Sequence, residues 1–128
     1  MIAAGIVSDE LEAGFSLAVI SAGGHSIAVT AVIDTGFNGY LTLPADTIAA
    51  LELPFHSIAE AQLDDGQTVA LRKFEAHILW SHRERAVTVL ETQGTALVGM
   101  AFLNRHRVII DVIAGGAVTI DTIDDVGR

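Results

Sequence analysis

The chain contains no cysteine, few basic residues and no long apolar run, and each of these shortages excludes a class of protein. Without cysteine, neither a disulfide framework nor a thiolate for metal binding or nucleophilic catalysis is available. Seven Lys and Arg against sixteen Asp and Glu give a net charge of −9, which argues against binding to the phosphates of nucleic acids. No stretch reaches the length of a membrane span. We therefore expect a cytoplasmic protein that binds neither nucleic acid nor a membrane.

Two common types of catalytic centre are also missing from the sequence. The five histidines are scattered and form no His-Glu-x-x-His or similar zinc spacing. No Gly-x-Ser-x-Gly segment is present, so the nucleophile of a typical serine hydrolase is absent. The sequence therefore predicts no metal and no cofactor.

The pattern of apolar residues predicts a single all-β domain over residues 1–128 with one or two short helices. Met1–Val7 has no basic leader and is predicted to be a first strand rather than an export signal. Alternating runs around glycine-containing turns predict three hairpins. The hairpin strands are residues 15–19 with 27–33, 57–63 with 68–80, and 108–112 with 117–120. Short strands are also expected at residues 40–43 and 86–92, and helices from Pro44 to about Leu51 and from Met100 to Asn104.

The segment Ala31-Val32-Ile33-Asp34-Thr35-Gly36 is the most unusual part of the chain. It is an apolar run that ends abruptly on a carboxylate, and such a group among apolar neighbours needs hydrogen bonds or a shared proton. Gly36 lets the backbone turn sharply, so that its amide can approach the acid. These residues predict a carboxyl group presented from a rigid base, which is a geometry suited to catalysis.

Together with later segments, Asp34-Thr35-Gly36 resembles the retropepsin-like aspartic proteases. After Asp34-Thr35-Gly36-Phe37 the chain continues towards Leu41-Thr42-Leu43-Pro44, as in small bacterial and archaeal members. A hairpin with an Asp-Gly tip follows, and then Leu97-Val98-Gly99 leads into a predicted helix. The resemblance covers roughly residues 14 to 121. It implies the acid-protease fold, a closed β-barrel or sandwich.

The resemblance also implies an aspartic endopeptidase, which hydrolyses peptide bonds with a water activated by two carboxyl groups that share a proton. Asp34 would be the catalytic acid and base, Thr35 would hydrogen-bond across a dimer, and Gly36 would donate its amide to the carboxylate. Leu97-Val98-Gly99 would pack beneath this loop. Because that second segment carries no acid, the resemblance requires a homodimer in which each subunit supplies one Asp34.

Substrate contacts are expected on both sides of a peptide bound in extended form. Phe37 and Asn38, which directly follow the glycine, would lie beside the peptide. The hairpin tip with Asp64, Asp65 and Gly66 would act as a flap that closes over the peptide and excludes water. This tip is acidic, whereas retroviral flaps have a glycine-rich tip, and Phe37 stands where retroviral enzymes have a small residue.

Other interpretations of the same residues remain open. Asp34-Thr35-Gly36 could be an Asx turn that closes a hairpin. The domain could then be a non-catalytic dimeric module that binds a peptide or protein on the same fold. Asp111, between Ile110 and Val112, could be offered as a second acid, but the favoured interpretation is a residue at the edge of a strand or a capping residue.

Overall fold

The described residues form ten strands and two short helices, which confirms the all-β prediction. The computed structural model describes residues 1–62 and 65–123. The strands are β1 (Ala3–Val7), β2 (Ala13–Ile20), β3 (Ser26–Ile33), β4 (Leu41–Pro44), β5 (Phe55–Gln62), β6 (Thr68–Trp80), β7 (Arg83–Thr92), β8 (Leu97–Val98), β9 (His106–Ile110) and β10 (Ala117–Thr122), and the helices are α1 (Ala45–Leu51) and α2 (Met100–Leu103).

All strands belong to one sheet, in the order β5-β6-β7-β4-β8-β3-β2-β1-β10-β9. An additional pairing between β6 and β2 joins six of these strands into a ring, β6-β7-β4-β8-β3-β2. Within the ring, β3 pairs with β8 and β4 with β7 in parallel, and the other neighbours are antiparallel. β1, β10 and β9 extend the sheet beyond the ring.

The hydrophobic core is formed by side chains that alternate along the ring strands, as the period of a half-buried strand requires. On β2 the residues Phe15, Leu17 and Val19 are buried, while their neighbours are more accessible. Burying an aliphatic side chain of this size contributes about 1.5–3 kcal/mol. The cluster also contains Leu41, Leu43, Ile78, Val89, Val98 and Phe102.

The predicted hairpins and helices are confirmed with small shifts of their ends. β2 and β3 pair around a turn in which Gly24 has a φ of +92°, a conformation that favours glycine. α1 starts directly after Pro44, the last residue of β4, and is followed by Glu52 in the left-handed region. Met1–Val7 contains β1, as predicted.

The β5–β6 hairpin extends away from the ring. β6 is long enough that residues 68–72 pair with β5, while the pairing with β7 begins only at Lys73. At the tip, the Gln67 amide donates to the Asp65 carboxylate (2.9 Å), and Gly66 has a φ of +85°. We call β5 together with residues 68–72 the arm. Asp64, one of the predicted flap residues, lies outside the described residues.

Candidate active site

Asp34 is held at the end of β3, immediately after the last residue of a ring strand. Its backbone amide donates to the Val98 carbonyl (2.9 Å), and its own carbonyl accepts from the Phe37 amide (3.1 Å). These bonds fix the loop on both sides of the carboxylate. Asp34 is half-buried, whereas Thr35 and Gly36 are exposed. The structure therefore presents one carboxyl group from a rigid base, as the sequence predicted.

The Gly36 amide donates to the Asp34 carboxylate oxygen Oδ1 at 2.9 Å, which confirms the contact expected from the resemblance. A donor in this place restricts the orientation of the carboxylate. The same hydrogen bond defines an Asx turn. The local geometry is thus common to the catalytic and to the purely structural interpretation.

The loop rests on β8, as expected for Leu97-Val98-Gly99. β8 lies parallel to β3, with Val32 opposite Leu97 and Ile33 opposite Val98. On its other side β8 is tied to β4, because the Leu97 amide donates to the buried Thr42 hydroxyl (Oγ1) at 2.9 Å. Two segments far apart in sequence therefore meet directly below the carboxylate.

The beginning of α2 is bound to the same loop. Met100 and Ala101 donate their amides to the carbonyls of Phe37 (2.8 Å) and Gly39 (3.1 Å). Gly99 permits this approach, because a Cβ atom there would overlap the Gly39 carbonyl oxygen and lie 2.6 Å from the Phe37 ring. The loop, β8 and α2 thus form one hydrogen-bonded unit.

A groove of about 420 Å³ opens beside the carboxylate. We call it the Asp34 groove. Its polar lining residues are Glu12, Asp34 and Thr35. Its other lining residues are mostly apolar: Val7, Leu11, Ala13, Val32, Ile33, Leu97, Ile110 and Val112. A groove of this composition can hold an extended segment with apolar side chains while offering a carboxylate to its backbone.

Leu11 and Glu12 also line this groove, and the sequence pattern did not predict their contribution. They lie in the connection between β1 and β2, where Leu11 has a φ of +62°. Their place beside Asp34 depends on the pairing of β1 with β2 and β10. No local signal in the sequence reports that pairing, although the acidic run before β2 marks the connection as exposed.

The predicted substrate-binding residues lie elsewhere in the described structure. Phe37 does not line the Asp34 groove; its ring packs against Gly39 and Gly99 behind the loop. Asn38 is exposed and also outside the lining, as are Asp65 and Gly66 at the tip of the arm. Their contacts with a substrate, and the closing of the arm as a flap, stay predictions. Asp64 is outside the described residues.

Asp111 does not enter the groove, although its neighbours Ile110 and Val112 line it. It is exposed just after β9, and its backbone pairs with Ala117. This position matches the interpretation of Asp111 as a residue at the edge of a strand.

Two features are absent from the described part of the chain. No group of three or more His, Asp or Glu side chains is arranged to hold a metal ion there. None of the helices in residues 1–62 and 65–123 is long and apolar enough to cross a membrane.

Comparisons with known proteins add no relative to this description. No protein-family model matches the chain, and neither the curated proteins nor the solved structures give a match. The resemblance to aspartic proteases therefore stays an expectation from the sequence around Asp34.

Proposed function

We propose that the protein is a homodimeric aspartic endopeptidase with a retropepsin-like fold. The observation that carries the proposal is the Asp34 carboxylate, oriented by the Gly36 amide and supported by β8, at the side of an apolar groove. The closed ring of six strands supports a barrel of the acid-protease type. Thr35 and Gly36 are exposed beside the carboxylate, which leaves this loop accessible to a second subunit.

The reaction needs two carboxyl groups and one water. One Asp34 is ionised and takes a proton from the water, whose oxygen attacks the peptide carbonyl carbon. The other Asp34 is protonated and gives its proton to the carbonyl oxygen. In the collapse of the tetrahedral intermediate the first Asp34 gives the proton it took from water to the nitrogen, the C–N bond breaks and the nitrogen leaves as an amine. The second Asp34 takes a proton back from a hydroxyl of the intermediate, which becomes the new carboxyl group.

A second subunit is proposed because the chain has one Asp-Thr-Gly segment. Leu97-Val98-Gly99, whose first two residues pair with β3, carries no acid. Two copies related by a twofold axis would bring their Asp34 carboxylates together. The apolar side chains Leu11 and Val112 at the groove are 59% and 65% exposed, and a substrate or a second subunit would cover them.

The substrate is proposed to be a peptide or protein segment in extended conformation. Val32, Ile33 and Leu97 offer apolar surface beside the carboxylate, so side chains next to the cleaved bond should be apolar. Backbone pairing with a sheet edge would align the peptide.

The test is cleavage of a diverse peptide mixture at acid to neutral pH, read by mass spectrometry, with wild type, Asp34→Asn and Glu12→Gln. Glu12→Gln is the matched control, because Glu12 is a carboxylate of the same groove outside the loop. We expect cleavage by the wild type and by Glu12→Gln, and loss of at least a hundredfold in folded Asp34→Asn.

Two other outcomes would overturn parts of the proposal. If Glu12→Gln is as inactive as Asp34→Asn, the second carboxyl group comes from the same chain and the dimeric site is wrong. If a folded wild-type dimer cleaves nothing at any pH, the non-catalytic binding module is the better description, with Asp34 as a structural turn residue.

A further inference from the structure

A second cavity, of about 580 Å³, lies at the end of the β6–β7 hairpin and shares no lining residue with the Asp34 groove. Basic and aromatic side chains dominate it, and we call it the arginine cavity. Its lining includes Tyr40, Trp80, Ser81, Arg83, Glu84, Arg85, Asn104, Arg105 and His106. The chain has only seven Lys and Arg and a net charge of −9, so a cavity lined by three arginines is an unusual concentration of positive charge.

The strand period directs Arg83 and Arg85 to the core side of β7. Residues two apart on a strand share a face, and these two lie opposite Trp80 and Ile78 of β6, both of which are buried. Glu84 belongs to the other face, and its carboxylate lies 3.7 Å from the His77 ring nitrogen Nδ1. Both arginines line the cavity, Arg83 exposed and Arg85 half-buried, and Glu84, which also lines it, lies close to His77 on the other face.

Arg85 is the residue least satisfied by the described structure. Its guanidinium carbon lies 4.6 Å from the centre of the Phe102 ring and 6.0 Å from that of Tyr40. The nitrogen Nη1 is buried, and the described residues give it no hydrogen-bond partner. Burial lowers the pKa of this guanidinium, because removal from water disfavours the charge. A buried donor without an acceptor is uncommon and unfavourable.

Two other lining residues of the cavity, Trp80 and His106, are hydrogen-bonded to each other. The Trp80 indole N–H can only donate, and it lies 2.9 Å from the His106 nitrogen Nε2. Nε2 must therefore accept, and the proton of the ring lies on Nδ1, 2.8 Å from the Asn104 carbonyl. Both ring nitrogens of His106 are engaged in these hydrogen bonds, so His106 offers no acceptor to Arg85.

We propose that the arginine cavity binds an oxyanion, a carboxylate or a phosphate group, through Arg85 and Arg83. The planar fork of a guanidinium matches the two oxygens of such a group, and both arginines line the cavity. The aromatic lining suits a small organic anion, whose apolar part can contact Trp80 and Tyr40. This site is independent of the proposed peptidase.

Trp80 makes the test direct, because it is the only tryptophan of the chain and lines the cavity. The full-length protein is titrated with inorganic phosphate and with benzoate at constant ionic strength, and the fluorescence and indole N–H resonance of Trp80 are recorded. We expect saturable changes with at least one of the two anions, and none with equal ionic strength of sodium chloride. Phosphate alone indicates a phosphate ligand, benzoate alone a carboxylate, and both a general oxyanion site.

Arg85→Gln and Arg72→Gln are the matched pair of variants. Arg72 also lies over aromatic rings, those of Phe55 and Phe74, but outside the cavity. We expect the dissociation constant to rise at least tenfold in Arg85→Gln and to stay unchanged in Arg72→Gln. If Arg85→Gln does not fold, Arg83→Gln takes its place, with an expected rise of about threefold or more. The proposal would be overturned if neither phosphate nor benzoate gave a saturable change, or if the cavity variants bound the anion as tightly as the wild type.

Discussion

At Gly99 the backbone of the β8–α2 connection passes so close to residues 37–39 that a side chain has no room. An added Cβ would overlap the Gly39 carbonyl oxygen and lie 2.7 Å from that of Phe37. Because both obstacles are backbone atoms, relief requires a shift of the loop that holds Asp34. We expect Gly99→Ala to lower the free energy of unfolding in urea by about 2 kcal/mol or more and to reduce any peptide cleavage.

Gly94→Ala is the control for this prediction, since a Cβ at Gly94 meets nothing within 4 Å. Its unfolding free energy should stay within about 1 kcal/mol of the wild type. Equal stability of the Gly99 and Gly94 variants would show that the loop and α2 are not packed as described.

Single residues were predictable where their signal was local. The turn at Asp34 and its bond from the Gly36 amide follow from three consecutive residue types, an acid, a hydroxyl residue and a glycine. The place of Phe37 was not predictable in this way. Its ring packs on Gly99, which is sixty-two positions later in the chain, and only the pairing of β3 with β8 brings the two together.

At the scale of elements, the arm differs from the ring in how its strands are held. Residues 57–62 of β5 pair with β6 on one side only, and alternate side chains along the arm are exposed. The ring strands β6 and β7 carry fully buried residues such as Ile78 and Val89. In hydrogen exchange read by mass spectrometry, we expect peptides of the arm to exchange at least tenfold faster than peptides from residues 76–80 and 85–90.

The β2–β3 hairpin is the internal control for that experiment, because it is also local but lies within the ring. Its protection should be close to that of β7. Protection of the arm equal to that of β2 and β3 would mean that the arm is packed against another surface and is not free to move as a flap.

Elements that pair with a close neighbour in sequence were predictable, and distant pairings were not. Turn residues such as Gly24 and the Asp65-Gly66 step mark hairpins directly. The parallel pairs β3–β8 and β4–β7 and the β2–β6 contact join strands separated by thirty to seventy residues. Their apolar composition shows burial but not which strand is the neighbour, so the strand pattern did not predict the ring, and only the resemblance implied a closed barrel or sandwich.

For the whole molecule, the proposed pair of Asp34 carboxyls makes activity depend on a single shared proton. At low pH both groups are protonated and no base remains, so activity falls. At high pH both are ionised and no acid remains, so activity falls again. We expect kcat/KM to follow a bell-shaped curve with its maximum on the acid side of neutral, measured from about pH 3 to about pH 8. Circular dichroism at each pH controls for unfolding, and a flat profile of the folded protein would contradict a shared proton.

The same site requires that one active centre be built by two chains, which a mixing experiment can distinguish from a centre within one chain. Wild type and Asp34→Asn are unfolded and refolded together in equal amounts, so that subunits pair at random. About half of the wild-type subunits then lie in mixed dimers. If these have one carboxyl group too few, activity per wild-type subunit falls about twofold, and further with excess variant. As a control, refolding the wild type with an equal amount of an unrelated protein, albumin, should leave the activity per wild-type subunit unchanged. Constant activity per wild-type chain at every ratio would place the whole centre in one subunit. Glu12, the other carboxylate of the Asp34 groove, would then be the candidate for the second acid.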